Sequence, residues 1–183
     1  MQEFLNWTIS AIQNDKLISS WIEERKYEWT PIVAKFINNV INSNNSVIIM
    51  TDDDRDWFLE YILTIINQKK LDRPFLPFYN IRSFYKKFDS LKSKEDTNLI
   101  KDMLDISFPS GYIFWYIGKG DNVKAIIPKT SDNSFLWLLD DSYQNAFTLN
   151  SNDEAIDIKL IQMFRLLNKT ISAVLFSQIN VEH

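Results

Sequence analysis

Two short runs of unbroken apolar residues constrain this chain more than any other feature. Ser46-Val47-Ile48-Ile49-Met50 and Tyr112-Ile113-Phe114-Trp115-Tyr116-Ile117 are rich in β-branched and aromatic side chains and too short for ordinary helices. Successive strand residues point to opposite faces, so such a run is apolar on both. It needs cover on both sides, which is the setting of a parallel sheet between helices.

The rest of the chain supplies the partners. Segments 134–139 and 146–149 read as further strands, and 75–80 as a weaker one that Pro77 confines to an edge. Helical spacing links Phe4, Trp7, Ala11 and Ile12, and then Ile32, Val33, Phe36, Ile37, Val40 and Ile41. Thr30-Pro31 reads as the cap and first-turn proline of that second helix. Trp57, Phe58, Tyr61, Ile62, Ile65 and Ile66 share one helical face. Further helices are expected over 94–104, over 122–127 where Pro128 would end the turn, and over 153–176. Alternating strands and helices predict an open, mostly parallel five-stranded sheet with helices on both faces, preceded by an N-terminal helical segment. With no repeat, low-complexity tract or linker, residues 1–183 read as a single α/β domain.

The chemistry of catalysis is sparse. The chain has no cysteine, and its one histidine is His183, where a frayed end gives no fixed base or metal ligand. Of three glycines, Gly118 and Gly120 lie in Gly118-Lys119-Gly120-Asp121-Asn122, which lacks the Walker pattern and reads as a tight turn between strand and helix. The first strand runs into Thr51-Asp52-Asp53-Asp54-Arg55-Asp56, where carboxylates would repel a phosphate group. Magnesium binding is one use of such a set; the plainer one is a helix cap by Thr51 or Asp52, with the other acids at the positive helix end. No catalytic, cofactor-binding or metal residue is therefore expected.

Net charge is -4, the wrong sign for a dedicated nucleic-acid binder. The cluster Lys69, Lys70, Arg73, Arg82, Lys86, Lys87, Lys92 and Lys94 is broken by Asp72 and Asp89 and reads as a solvated face. With no export signal or membrane-length apolar run, the expected location is cytoplasmic.

The final helix carries more information. Ile156, Leu160, Met163, Leu167, Ile171 and Val174 form one stripe, while Ile161, Phe164 and Leu175 lie off it. A helix apolar on a second side is buried deeply or packed against another subunit.

Several segments together resemble the HobA family, whose members associate with the bacterial replication initiator DnaA. They are Arg55-Asp56-Trp57-Phe58-Leu59-Glu60-Tyr61-Ile62-Leu63, Asp72-Arg73-Pro74, Phe114-Trp115-Tyr116-Ile117-Gly118-Lys119, Ser134-Phe135-Leu136-Trp137-Leu138 and Lys159-Leu160-Ile161-Gln162-Met163-Phe164. The resemblance covers nearly the whole chain from Trp7 onward. It implies a sugar-isomerase-like fold, similar to DiaA, built as a homotetramer that binds the N-terminal domain of DnaA and promotes its assembly at the chromosomal origin. The alternative on the same fold is an enzyme or sensor for a small phosphorylated ligand. The expected anchors for DnaA are Leu175 and Phe176, at the boundary between the last apolar stripe and the polar tail. Apolar surplus outside the sheet places a subunit interface at Phe4, Leu5, Trp7, Ile12 and Trp21.

Overall fold

A computed structural model describes residues 1–90 and 94–181 of the chain. Lys92 of the basic cluster and His183 lie outside the described residues. The helices are α1 (Gln2–Gln13), α2 (Trp21–Glu24), α3 (Lys26–Ile37), α4 (Asp56–Ile66), α5 (Lys94–Ser107), α6 (Ile126–Lys129) and α7 (Ile156–Leu175). The strands are β1 (Ser46–Thr51), β2 (Phe78–Asn80), β3 (Tyr112–Lys119), β4 (Ser134–Leu139) and β5 (Ala146–Leu149). They form one sheet in the order β2-β1-β3-β4-β5, and every pairing is parallel. The two apolar runs are thus central neighbours, with Ile49 beside Trp115 and Met50 beside Tyr116.

Strand alternation sorts the core into two unequal layers. Val47, Ile49, Trp115, Ile117, Phe135, Trp137 and Phe147 face α3, α4 and α7, and α1 packs on α3 and α7. Ile48, Met50, Phe114, Tyr116, Leu136 and Leu138 face a thinner cover that includes Ile100 and Leu104 of α5. Aromatic rings fill the thicker layer: Trp115 and Trp137 lie 5.0 Å apart edge to face, and Phe36 stacks on Phe135 at 4.3 Å. Each such pair adds roughly 0.5–1.5 kcal/mol beyond the area it buries.

Two prolines behave differently from the sequence expectation. Helix α3 begins at Lys26, five residues before Pro31, and Thr30 is no cap: its Oγ1 donates to the Lys26 carbonyl. Pro31 leaves open the carbonyl of Tyr27, a residue 71% exposed, so water can satisfy it. Pro128 lies inside α6 rather than ending a helix over 122–127. It occupies the first turn, where no N–H is required. At the sheet edge only Phe78–Asn80 pairs, because Pro77 lacks a donor while its carbonyl accepts the Val47 N–H at 2.8 Å. Among the described residues no helix is long and apolar enough to cross a membrane.

Candidate functional site

In doubly wound sheets a ligand crevice opens where the strand order reverses, here between the C-terminal ends of β1 and β3. In this chain a carboxyl group fills that point. Asp52 is 3% exposed, and its Oδ2 accepts the backbone N–H of Lys119 at 2.7 Å and Nη1 of Arg55 at 3.2 Å. A Cβ on Gly118 would stand 2.7 Å from that carboxyl, so glycine is what lets the two strand ends close. Burial pushes the Asp52 carboxyl above the usual carboxylate range, against the Lys119 N–H and Arg55, which pull it down.

Asp53 and Asp56 are held by cations from distant segments, and Asp54 by adjacent Arg55, instead of serving as helix caps. Thr51 Oγ1 donates to Asp56 Oδ1 at 2.7 Å, and neither Thr51 nor Asp52 caps α4. Lys124 is buried and contacts Asp53 at 2.5 Å and Asp89 at 2.8 Å. Arg82 reaches Asp89 at 2.8 Å and Asp56 at 3.0 Å. Both cations lie over the ring of Phe88, which is fully buried beneath them. Arg82 and then Lys124 hold the Asp89 carboxyl down at about 2. The rim sets Asp52, Asp53, Asp54, Asp56 and Asp89 against Arg55, Arg82 and Lys124, leaving an excess of negative charge. Among the described residues no group of three or more His, Asp or Glu side chains is placed to hold a metal ion.

Two open hollows lie along the outer face of α7. One hollow of about 310 Å³ is lined by Leu17, Tyr61, Ile65, Ile158, Ile161 and Arg165, and a second of about 390 Å³ by Trp7, Ala11, Leu71, Lys169, Ser172 and Gln178. Asn168 lines both, so the two are neighbours along the helix. Phe176 follows Ser172 by one turn on the same face and is 50% exposed, whereas Leu175 is half-buried against the core.

The N-terminal residues are distributed differently from expectation. Phe4, Leu5 and Ile12 are buried within the chain, because α1 packs on α3 and α7. Trp7 is half-buried and lines the second hollow, and half-buried Trp21 donates its Nε1 to Gln162 at 2.7 Å. Arg73 is no member of a solvated face. It is half-buried and donates to the carbonyl of Ile66, to Ser172 and to Asn168, tying the end of α4 to α7, and burial lowers its pKa to about 10. Arg82 is likewise committed, to the rim.

A family model described as "HobA: DNA replication regulator" matches residues 1–181. The DNA replication regulator protein HobA of Helicobacter pylori is 29% identical over 190 residues, an overlap covering 99% of this chain and 100% of that protein. A crystal structure of a HobA–DnaA (domain I-II) complex from Helicobacter pylori superposes with a TM-score of 0.73 at 28% identity, covering 97% of this chain and 94% of that one. A crystal structure of HobA from the same organism gives the same score and identity, with 97% and 95% covered.

Proposed function

We propose that this chain, which belongs to the HobA family of DNA replication regulators, is a non-enzymatic adaptor that binds the N-terminal domain of DnaA and promotes its assembly at the chromosomal origin. The observation that carries the proposal is the match, over nearly the full length, to a structure of a HobA–DnaA complex. The closed, net-negative strand ends support the same reading, since a phosphorylated small molecule would meet carboxylates there.

The binding surface includes the C-terminal end of α7, with Phe176 as the anchor and Leu175 as its half-buried support. An exposed aromatic ring beside a hollow is the kind of group that dominates protein interfaces. The adaptor acts as a homotetramer, so several copies of one site raise the local concentration of DnaA. Of the five N-terminal residues expected at a subunit interface, Trp7 and Trp21 are the two with surface left to give to such an assembly.

Surface plasmon resonance of the protein against the N-terminal domain of DnaA tests this reading. Saturable binding supports it, and its absence with well-folded partners removes it.

A further inference from the structure

At the amino ends of β1, β3 and β4, across the sheet from the acidic rim, lies a polar hollow of about 340 Å³. Its walls include Asn45, Lys101, Asp105, Tyr112, Asp132 and Asn133. The volume falls within the range of small-molecule sites, about 300–1,000 Å³. The most buried polar member is Asn45, 7% exposed. Its Nδ2 donates to Asn39 Oδ1 at 3.3 Å, while among the described residues its Oδ1 accepts from no donor. Gly111 keeps that oxygen open, since a Cβ there would stand 2.6 Å from it and the φ of +99° disfavours a side chain. An amide oxygen held at such depth calls for a donor.

Three charges surround that oxygen. Lys101 of α5 and the carboxylate of Asp132 make no hydrogen bond or ion pair among the described residues. The turn that carries Asp132 is pinned, because its carbonyl accepts Lys35 Nζ at 3.3 Å and the Asn133 carbonyl accepts the Phe114 N–H at 3.1 Å. Asp105 follows Lys101 by one turn and is positioned by the Tyr112 hydroxyl, which donates to it at 3.0 Å. One cation and two carboxylates leave the hollow with a net negative charge. A ligand that satisfies all three carries one anionic group and two cationic ones. A basic amino acid has that set: an α-carboxylate, an α-ammonium and a charged side chain.

We propose that this hollow binds a basic amino acid of the arginine type. Lys101 pairs with its carboxylate, Asp105 and Asp132 with its two cationic groups, and Asn45 Oδ1 accepts one of its N–H groups. The site lies at the opposite end of the sheet from the crevice where doubly wound folds hold ligands, so the closed rim has no bearing on it.

Isothermal titration calorimetry of the full chain with L-arginine, agmatine and L-citrulline tests this. Agmatine lacks the carboxylate, and citrulline lacks the side-chain charge. L-arginine should bind saturably, and each analogue about tenfold more weakly. Agmatine is more positive than arginine, so diffuse attraction to a chain of net charge -4 would rank those two the other way. Lys101→Met should lower affinity for L-arginine about tenfold and leave that for agmatine unchanged, whereas Asp132→Asn should weaken both. Neither side chain has a partner to lose among the described residues, so the melting curves should not move. No saturable heat with L-arginine up to about 10 mM overturns the proposal. So does an analogue that binds as well as L-arginine, or Lys101→Met with its arginine affinity intact. DnaA takes part in none of these titrations, so their outcome is independent of the adaptor reading.

Discussion

The strand-end rim and the α7 groove are both places where an α/β protein can meet other molecules, and they are built oppositely. At the rim, polar groups from five segments converge on one another: Asp52 on Lys119, Lys124 on Asp53 and Asp89, and Arg82 on Asp56 and Asp89. Phe88 occupies the space beneath. Along α7, apolar residues are left without cover, and among the described residues the guanidinium of Arg165 engages a partner only through its Nε. The difference teaches where specificity resides. A site whose cations are all engaged by its own acids contributes to the fold, while an uncovered apolar surface contributes to recognition.

The sharpest way to break that contrast is to damage the rim. Asp52→Ala removes the carboxyl that binds Arg55 and the Lys119 N–H, leaving a cation only 7% exposed with Asp54 as its remaining acid. Breaking a buried pair from one side costs about 3 kcal/mol, so urea denaturation should show a loss of that size. Affinity for DnaA should be unchanged once folding is corrected for. A variant of wild-type stability would show the Asp52 plug to be dispensable.

Phe176→Ala probes the opposite end. It should weaken DnaA binding by about 2 kcal/mol, read by surface plasmon resonance. The ring is half exposed, so the melting temperature should hardly move. A large drop in stability with proportionate loss of binding would assign Phe176 to the core, and full binding would leave the end of α7 out of the site.

Acid provides a comparison within the groove's own support. Burial raises the pKa of Asp15, but hydrogen bonds from Arg165 and Lys169 outweigh it and hold the group down at about 2. A carboxyl depressed on folding stabilises above its unfolded value of about 3.9 and loses that contribution as pH falls toward 2. Asp15→Asn should therefore cost on the order of 2 kcal/mol at neutral pH and flatten the fall in stability between about pH 4 and 2. Asp89 at the rim has the same sign, though it is over half exposed and its share is smaller. Asp52 has the opposite sign, since its raised pKa favours the folded state as acid is added. Acid titrations of Asp15→Asn and wild type that run parallel would refute the assignment.

The smallest expected effect is none at all. Calorimetry with a panel of phosphosugars should give no micromolar heat, with or without Asp53→Ala. A micromolar signal would reopen the rim as a ligand site.

Much of the fold was legible because its strands announce themselves. Each of 46–50, 112–117 and 134–139 is a continuous apolar run, and all three are found as strands. Pro31 and Pro128 misled because their effect depends on how far into a helix they fall, which periodicity does not reveal. The rim was legible only in part. Its acids are contiguous in sequence, but Arg82, Asp89 and Lys124 arrive from separate segments, and Asn122, which receives the Lys124 N–H at 2.9 Å, was the one local hint. The groove was less visible still. The second apolar side of α7 predicted a contact, but α1, whose apolar residues were expected at a subunit interface, covers part of that surface itself.

The strand order also dictates a timetable. β1, formed first in chain order, ends up inside the sheet, with Ser46 waiting for Tyr112 and Val47 for Phe78. No two strands can be joined by a hairpin, since every pairing is parallel. Long-range pairing of this kind slows folding and leaves apolar segments uncovered while they wait. On an emerging chain, Val47, Ile48, Ile49 and Met50 remain without a complete sheet until Trp115 and Tyr116 arrive. Until β3 joins β1, those apolar side chains stay open to non-native contacts.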